Sequence, residues 1–314
     1  MNTIDWLLDS DPAIRWQVKR DLTHAAPAEI AAERGRVAHE GIGAKILASQ
    51  GPDGAWHRAD APDWLPTLFM AQLLRATGAD RADPAVASAM ARLNAGFRWH
   101  EEFGAKPFFD GEVEPCINGG ALAIGASLGH PSDSLAHRLV GEQLEDGGWN
   151  CEAPKSTRAS YHTTICVLEG LLEYERARGT TPEIAEARRR GESYLLERRL
   201  FLRRSTGEVA DPAFLKFAFP TRYRYDVLRA LDYFRATGAD PDERIDDAVR
   251  VVEGRRQTGG RWLLDASHDE ALVFPFPEPV GEPSRWNTLR ALRVLRWYER
   301  GRGRDSTGPD AARR

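Results

Sequence analysis

A short motif that recurs along the chain constrains the fold more than any other feature of this sequence. Residues 50–56 read QGPDGAW and residues 143–149 read QLEDGGW, so both fit Gln-x-x-x-Gly-x-Trp. A third copy at residues 256–262 keeps the glycine and the tryptophan but begins with Arg256. A motif that recurs at wide spacing is typical of repeat proteins, in which each unit must stack on its neighbours. The chain is therefore predicted to be an array of similar helical units.

Apolar segments of helical length alternate with more polar ones between the motif copies. The predicted apolar helices are residues 65–77, 116–128, 162–178, 223–237 and 285–300, after a leading helix at residues 3–23. Several end at glycine, which suits a left-handed C-terminal cap. The sequence RATGAD occurs at residues 75–80 and again at 235–240, which predicts a repeat of about 53 residues. Strand signals are nearly absent, and three prolines predict a loop at residues 272–280.

This pattern predicts an all-α fold of about five to six helical hairpins. Small residues at Gly119–Ala121 and Gly125–Ala126 permit close contact between apolar helices. We therefore expect an α/α toroid with the apolar helices inside, and an open solenoid is the alternative. Residues 1–301 are predicted to form this single domain. Residues 302–314 lack an apolar period and are predicted to be a disordered tail.

Composition and charge exclude several classes of protein. With 42% hydrophobic and 29% charged residues, the 314-residue chain is typical of a globular protein. Its net charge of −4 gives no indication of nucleic-acid binding. No apolar stretch approaches the roughly 20 residues that span a bilayer, and the N-terminus does not resemble a secretory signal. With only three cysteines, the protein is expected to be cytoplasmic and reduced.

Cysteine, histidine and glutamate residues at matching places in consecutive repeats predict a metal site. Cys116 and His162 each lie at the start of an apolar helix, Cys151 follows the second motif, and Glu114 precedes Cys116 by two residues. Zinc prefers such thiolate, imidazole and carboxylate ligands, four in total. Alternatively, the cysteines only fill the core and His162 caps a helix. Cys166 could replace Glu114 or Cys151, although its apolar neighbours favour a core position.

The number of ligands decides what kind of metal site this is. If all four predicted residues bind, the site is closed and structural. If only three bind, the metal keeps an open position for water or a substrate. The sequence leaves both possibilities open.

Two resemblances to known families add to this interpretation. The motif copies resemble the QW motifs of squalene–hopene cyclases, in which the tryptophan stacks on the glutamine and ties one hairpin to the next. Residues 147–171 (GGWNCEAPKSTRASYHTTICVLEGL) resemble the β subunit of protein prenyltransferases around its zinc-binding histidine. That resemblance implies His162 as a zinc ligand and Glu114–Cys116 in place of the family's Asp-x-Cys. The chain thus looks like a single-domain bacterial member of this superfamily, without the Asp-x-Asp-Asp acid motif of class II cyclases.

The starts of the apolar helices also carry polar and aromatic side chains that could contact a substrate. The predicted substrate-binding residues are Trp64, Asn118, Arg222, Tyr225, Arg285 and Trp286. Arginine and aromatic rings can hold an anionic or flat molecule by charge and stacking. The alternative is that they only cover helix ends.

These observations favour a zinc-dependent enzyme that acts on an isoprenoid or another small hydrophobic ligand in a central cavity. The resemblance places it near terpenoid cyclases and prenyltransferases, without fixing a reaction. One alternative is a non-catalytic toroid whose structural zinc supports binding of a lipid or a protein partner. Another is a uronate-polysaccharide lyase that uses Asn118, His162, Arg222 and Tyr223. The sequence does not determine the oligomeric state.

Overall fold

The computed structural model describes residues 1–305, and these residues are almost entirely helical or loop. The helices are α1 (Thr3–Leu8), α2 (Pro12–Val18), α3 (Pro27–Gly35), α4 (Gly41–Ala48), α5 (Trp64–Thr77), α6 (Pro84–Gly96), α7 (Pro115–Leu128), α8 (Asp133–Gly141), α9 (Tyr161–Arg178), α10 (Pro182–Leu196), α11 (Val227–Thr237), α12 (Asp246–Gly254) and α13 (Arg285–Asp305). The two-residue strands β1 (Trp262–Leu263) and β2 (Pro283–Ser284) pair antiparallel. The predicted all-α class is confirmed. Within residues 1–305, no helix is long and apolar enough to cross a membrane.

Local sequence explains where many of these helices begin and end. Proline occupies the first position of α2, α3, α6, α7 and α10, where its missing N–H costs nothing. Gly78, Gly129 and Gly238 adopt left-handed conformations directly after α5, α7 and α11. They form the C-terminal caps that the sequence predicts.

Three predicted boundaries differ from the structure. The leading helix is broken, because Asp11 accepts a hydrogen bond from the N–H of Ala13 and starts α2. Helix α11 begins only at Val227, because Asp226 caps it through the N–H of Arg229. Helix α13 continues through Asp305, past the predicted end of the domain at Gly301. The rest of the predicted tail lies outside the described residues.

The apolar helices contact one another in the order in which they occur along the chain. Helix α5 packs on α7, α7 on α9, α9 on α11, and α11 on α13, while α13 also contacts α2. Polar helices pack on the apolar ones that follow them, as α4 does on α5, α6 on α7, α8 on α9 and α12 on α13. Their shared apolar side chains form one continuous core.

The tryptophans of the three motif copies make the same hydrogen bonds in each repeat. Each indole Nε1 donates to a carbonyl near the end of the preceding polar helix. The pairs are Trp56–Ile46 (2.8 Å), Trp149–Leu139 (2.6 Å) and Trp262–Val252 (2.7 Å). Each tryptophan main-chain N–H also donates to a threonine hydroxyl of the following apolar helix, in Thr67 (3.0 Å), Thr164 (3.1 Å) and Thr288 (3.0 Å). Every motif loop is thereby fixed to both helices of its own pair.

The motif glutamines join one pair to the next through hydrogen bonds. Gln50 Nε2 donates to the carbonyl of Gly54 and to that of Ala89 in α6, both at 2.9 Å. Gln143 Nε2 makes the equivalent bonds at 2.7 Å to Gly147 and to Ala187 in α10. Glutamine therefore supplies the connection between hairpins by bonding to main-chain carbonyls.

Helices α7 and α9 approach most closely at two glycines. A Cβ atom added to Gly119 would lie 2.5 Å from the carbonyl oxygen of Cys166, and one added to Gly170 would lie 2.6 Å from that of Gly119. No side chain fits between the two backbones at this point. The close contact also brings the starts of the two helices together.

Candidate functional site

Three of the four predicted metal ligands lie together at the start of α7. The ligand atoms of Glu114, Cys116 and Cys151 all lie within 4.8 Å of one another, and we call this group the cysteine cluster. The Sγ atom of Cys116 is 3.7 Å from Oε2 of Glu114. Sulfur and oxygen ligands bound tetrahedrally to one zinc ion lie about 3.5 Å apart. The spacing of the cluster therefore fits zinc.

The loop before α7 is braced so that Glu114 and Cys116 face the same point. Glu114 is the N-cap residue of α7, and Cys116 is the second residue of the helix. The carboxylate of Glu112 accepts hydrogen bonds from the N–H groups of Val113 and Glu114, at 2.5 and 2.8 Å. Asn118 binds both the N–H and the carbonyl of Glu112 through its side chain. Asn118 is fully buried in this role, so it supports the loop and offers no surface to a substrate.

Cys151 reaches the cluster from the loop that follows the second motif. Its Sγ lies 3.4 Å from the hydroxyl of Thr163, the third residue of α9. Thr163 is 3% exposed, so the threonine fixes the position of the sulfur from the helix side. Thr163 is not among the site residues predicted from the sequence. Its position next to His162, at the start of α9, is the feature that could have indicated it.

The two thiols of the cluster differ in acidity. Hydrogen bonds from the Cys116 thiol, from the Thr163 hydroxyl and from the Cys116 main-chain N–H lower the pKa of Cys151, against the opposing effect of burial. The same contact with Cys151, together with burial, raises the pKa of Cys116. Cys151 is therefore the more acidic thiol of the pair.

His162 is not part of the cluster, contrary to the prediction. Its Nδ1 accepts a hydrogen bond of 2.8 Å from the main-chain N–H of Tyr225, and its ring lies edge-on to Phe214. Burial lowers the pKa of His162, and the guanidinium groups of Arg229 and Arg224 act in the same direction. The next residue along the helix, Thr163, is the one that faces Cys151. His162 is thus a neutral acceptor that links α9 to the segment before α11.

Cys166 also lies outside the cluster. It is 1% exposed, its Sγ donates to the carbonyl of Tyr223, and Arg229 Nη2 donates to that sulfur at 3.6 Å. These contacts give the thiol a core position, as its apolar neighbours in the sequence suggest.

Three other predicted substrate residues make contacts within the fold. Tyr225 is 3% exposed and donates its hydroxyl proton to the carbonyl of Leu200. Arg285 bonds to the carbonyls of Trp6 and Asp9 and stacks over the Trp6 ring at 4.6 Å, which attaches α1 to α13. Trp64 is half-buried against the core.

The remaining two predicted substrate residues, Arg222 and Trp286, line cavities among the apolar helices. Trp286 stacks on Phe219 with ring centroids 4.3 Å apart. Both rings form part of the wall of a cavity of about 370 Å³ that α2, α5, α7, α9, α11 and α13 surround. Arg222 lines a smaller pocket of about 50 Å³ that shares Arg75, Glu169 and Arg229 with it.

The lining of the larger cavity is strongly charged, and we call it the arginine cavity. Its arginines are Arg20, Arg34, Arg75, Arg176, Arg229, Arg235, Arg290 and Arg293. Its carboxylates are Glu169, Glu173 and Asp232. Among the described residues, eight cations thus face three anions in a space where the sequence leads us to expect an apolar, aromatic surface. The sequence pattern could not show this, because an arginine on an apolar helix carries no sign of which neighbour it faces.

Comparisons with known proteins do not assign a family. No family model matches the chain, and no curated protein matches it. A crystal structure of a protein from Actinoplanes is similar over 95% of this chain and 97% of that chain, with 16% identity and a TM-score of 0.46. Similarity at this level carries no argument about function.

Proposed function

We propose that this protein binds zinc through Glu114, Cys116 and Cys151 and that an α/α toroid holds the site in place. The observation that supports the metal is the meeting of these three ligand atoms within 4.8 Å. The cluster draws on two consecutive repeats, which the glycine contact between α7 and α9 brings together. Two sulfurs and one carboxylate form a ligand set that favours zinc over magnesium or calcium.

Support for the toroid comes from the order of helix contacts. The apolar helices touch in chain order, and α13 also touches α2. A cavity surrounded by six of these helices fits a ring better than an open stack. Two motif glutamines, Gln50 and Gln143, also bond their pair to the polar helix that follows it.

We further propose that the zinc is catalytic. Three protein ligands leave one coordination position for water or a substrate atom, and a bound zinc supplies Lewis acidity there. The chain's own contribution is to hold Cys151 among hydrogen bonds that lower its pKa and to keep Glu114 at the exposed side of the cluster. The substrate is left open, because the charged lining of the arginine cavity does not favour an isoprenoid chain. A uronate lyase is not favoured either, since Asn118 and His162 make hydrogen bonds within the fold.

Metal analysis combined with cobalt substitution tests this proposal. Purified protein should contain about one zinc per chain, and Co²⁺ should give the intense sulfur-to-metal absorption of a site with two thiolates. Cys116→Ser and Cys151→Ser should each lose the metal or this absorption. Cys166→Ala is the matched control, because its sulfur is outside the cluster, and it should keep both.

The outcomes separate the proposal from its alternatives. Protein that neither contains nor takes up stoichiometric metal would refute the zinc site. A cobalt spectrum that does not change when azide or cyanide is added would show a closed, structural site. A spectrum that shifts on addition of these ions supports the open position.

A further inference from the structure

The arginine cavity is separate from the proposed zinc site. Cys116 is the second residue of α7, whereas Ser127 and Leu128 at the other end of the same helix line the cavity. Eleven residues of α-helix correspond to roughly 16 Å. A ligand in the cavity would therefore not touch the cysteine cluster.

Arg290 is a buried cation of the cavity that has no hydrogen-bonded carboxylate partner among the described residues. It is 5% exposed, and its Nη1 donates to the carbonyl of Ala218 and to Asn287 Oδ1. Its Nη2 and Nε lie 3.8 and 4.0 Å from the carboxylates of Asp226 and Asp232, too far for hydrogen bonds. Burial lowers the pKa of Arg290, the carboxylates of Asp226 and Asp232 oppose this shift, and nearby Arg293 adds to the effect of burial. A buried cation with two guanidinium nitrogens that lack a carboxylate within hydrogen-bond distance favours an anion beside it.

Arg222 provides an independent sign of a missing partner. Its side chain is 10% exposed, it lines the small pocket that adjoins the cavity, and its Nε is buried without a hydrogen bond to any described residue. Its main chain has a left-handed conformation, at φ 52°, which residues other than glycine rarely adopt. The guanidinium stacks on Phe69 at 4.3 Å and pairs with Glu270. The Arg222 side chain thus lies at the pocket although its backbone conformation is unfavourable for arginine.

Other arginines of the cavity have carboxylate partners yet can still accept an anion. Arg75 lies 3.4 Å from Glu169 and 3.7 Å from Glu173, and each of those acids also pairs with a second arginine. Because each carboxylate pairs with at least two arginines, the arginines of the cavity outnumber its carboxylates and the lining carries a net positive charge. In a confined space of low dielectric constant this excess attracts an anion more strongly than on an open surface.

We propose that the arginine cavity binds a small organic anion that carries phosphate or carboxylate groups. Guanidinium groups bind both by paired, charge-assisted hydrogen bonds. The stacked rings of Trp286 and Phe219 provide an apolar wall for the body of such a molecule. A volume of about 370 Å³ is within the range of small-ligand sites. This inference goes beyond the zinc site and does not depend on it.

Calorimetric titration with two probes tests the proposal. Inorganic diphosphate represents the phosphate class and citrate the carboxylate class, both at constant ionic strength. We expect at least one to bind with a stoichiometry of one per chain and to change the fluorescence of the chain, because Trp16 and Trp286 line the cavity. Binding of neither probe would overturn the proposal and leave the arginines as an internal ion network.

Two variants locate the bound anion. Arg75→Gln and Arg290→Gln should each weaken binding of the better probe by about tenfold, the effect of losing a charge-assisted hydrogen bond. The Arg75→Gln variant is expected to fold, because Glu169 still pairs with Arg229 and Glu173 still pairs with Arg176. Arg250→Gln is the matched control, since Arg250 pairs with Asp247 at an exposed position on α12.

The pattern across the variants decides the outcome. Tenfold weakening in Arg75→Gln with binding within twofold of wild type in Arg250→Gln supports the cavity site. Equal loss in both, or no loss in Arg75→Gln, means a nonspecific ion effect and overturns it. Titration in the presence of the neutral chelator 1,10-phenanthroline should give the same affinity, which separates this site from the zinc proposal.

Discussion

The cysteine cluster and the arginine cavity use the same helices in opposite ways. The cluster takes three residues from one stretch of chain, between residues 114 and 151, and places them at the start of α7. The cavity collects its charged groups from the turn after α2 and from α3, α5, α9, α11 and α13, between residues 20 and 293. The first arrangement depends on the contact between α7 and α9, while the second depends on most of the apolar helices being in place. Damage to packing at any one pair should therefore disturb the cavity before the cluster.

The largest effect is expected from a carboxylate of the cavity. Asp232 accepts hydrogen bonds from Arg293 and Arg235. Asp232→Asn would remove the carboxylate that Arg235 and Arg293 share, leaving Asp21, at 3.7 Å, as the remaining carboxylate partner of Arg293, and should lower the free energy of unfolding by about 3 to 5 kcal/mol at pH 7. Urea denaturation measures this loss. The half-buried pair of Asp242 and Arg244, with side chains 32% and 41% exposed, is the control, and Asp242→Asn should cost less than about 1 kcal/mol.

The same residue should give the protein an acid-sensitive stability. Although burial opposes the shift, Arg293 and Arg235 hold the pKa of Asp232 below its usual value. Its contribution is therefore complete above the unfolded pKa of about 4 and is lost as the pH falls further. Wild type should lose stability more steeply below pH 4 than Asp232→Asn. Parallel pH profiles would contradict this account of the cavity.

A smaller effect is expected at the cysteine cluster. Zinc at a hundred times its Kd should raise the free energy of unfolding by about 2.7 kcal/mol. Thermal unfolding with added zinc or chelator measures the change. Cys116→Ser and Cys151→Ser should not respond to zinc, whereas Cys166→Ala should respond as wild type does. A response retained in both serine variants would remove the cluster as the source.

His162→Ala tests whether the histidine belongs to the cluster or to the fold. It removes the acceptor of the Tyr225 N–H and should lower the free energy of unfolding by about 1 to 2 kcal/mol. Zinc content should be unchanged, as measured on the folded protein. If the His162→Ala protein stays folded but loses zinc, His162 is a zinc ligand after all.

The smallest effect concerns the helical pairs that carry both sites. Thr67→Val, Thr164→Val and Thr288→Val each remove a hydroxyl that bonds to the main chain of a motif tryptophan. Each should lower the free energy of unfolding by about 1 kcal/mol, and by similar amounts, because the contact is the same in all three. Thr206→Val, in an exposed turn, should change it little. Clearly unequal losses would show that the three repeats do not share one local architecture.

The helical pairs could be predicted because their signals are local in sequence. The motif tryptophans and the glycine caps mark turns at fixed places, so the predicted α5, α7 and α9 lie within one residue of the observed helices. The break before α2 was missed because residues 3–23 have the composition of one continuous helix. Asp11 and Pro12, which form the cap and the first position of α2, were not recognised as a new helix start. The late start of α11 was missed for a similar reason, since Asp226 caps the helix from within an apparently helical run.

The site was predictable only as far as it is local. Glu114, Cys116 and Cys151 were found because each lies beside a helix start or a motif. The structure places His162 outside this group. Neighbouring residues on a helix point about 100° apart, and the sequence does not tell which of His162 and Thr163 faces the loop. The arginine cavity was missed because its charges are dispersed along apolar helices, and only their packing brings them together.

Because Arg222 has a left-handed conformation, selection for stability and selection for ligand binding should favour different residues at this position. Glycine at this position would relieve roughly 1 kcal/mol of backbone strain but would remove a guanidinium from the pocket beside the cavity. A library screened for thermal tolerance should accept Arg222→Gly, whereas one screened for ligand retention should reject it. Among homologous chains, an arginine retained at this position would therefore mark those that kept the same ligand, whatever else in the repeats had diverged.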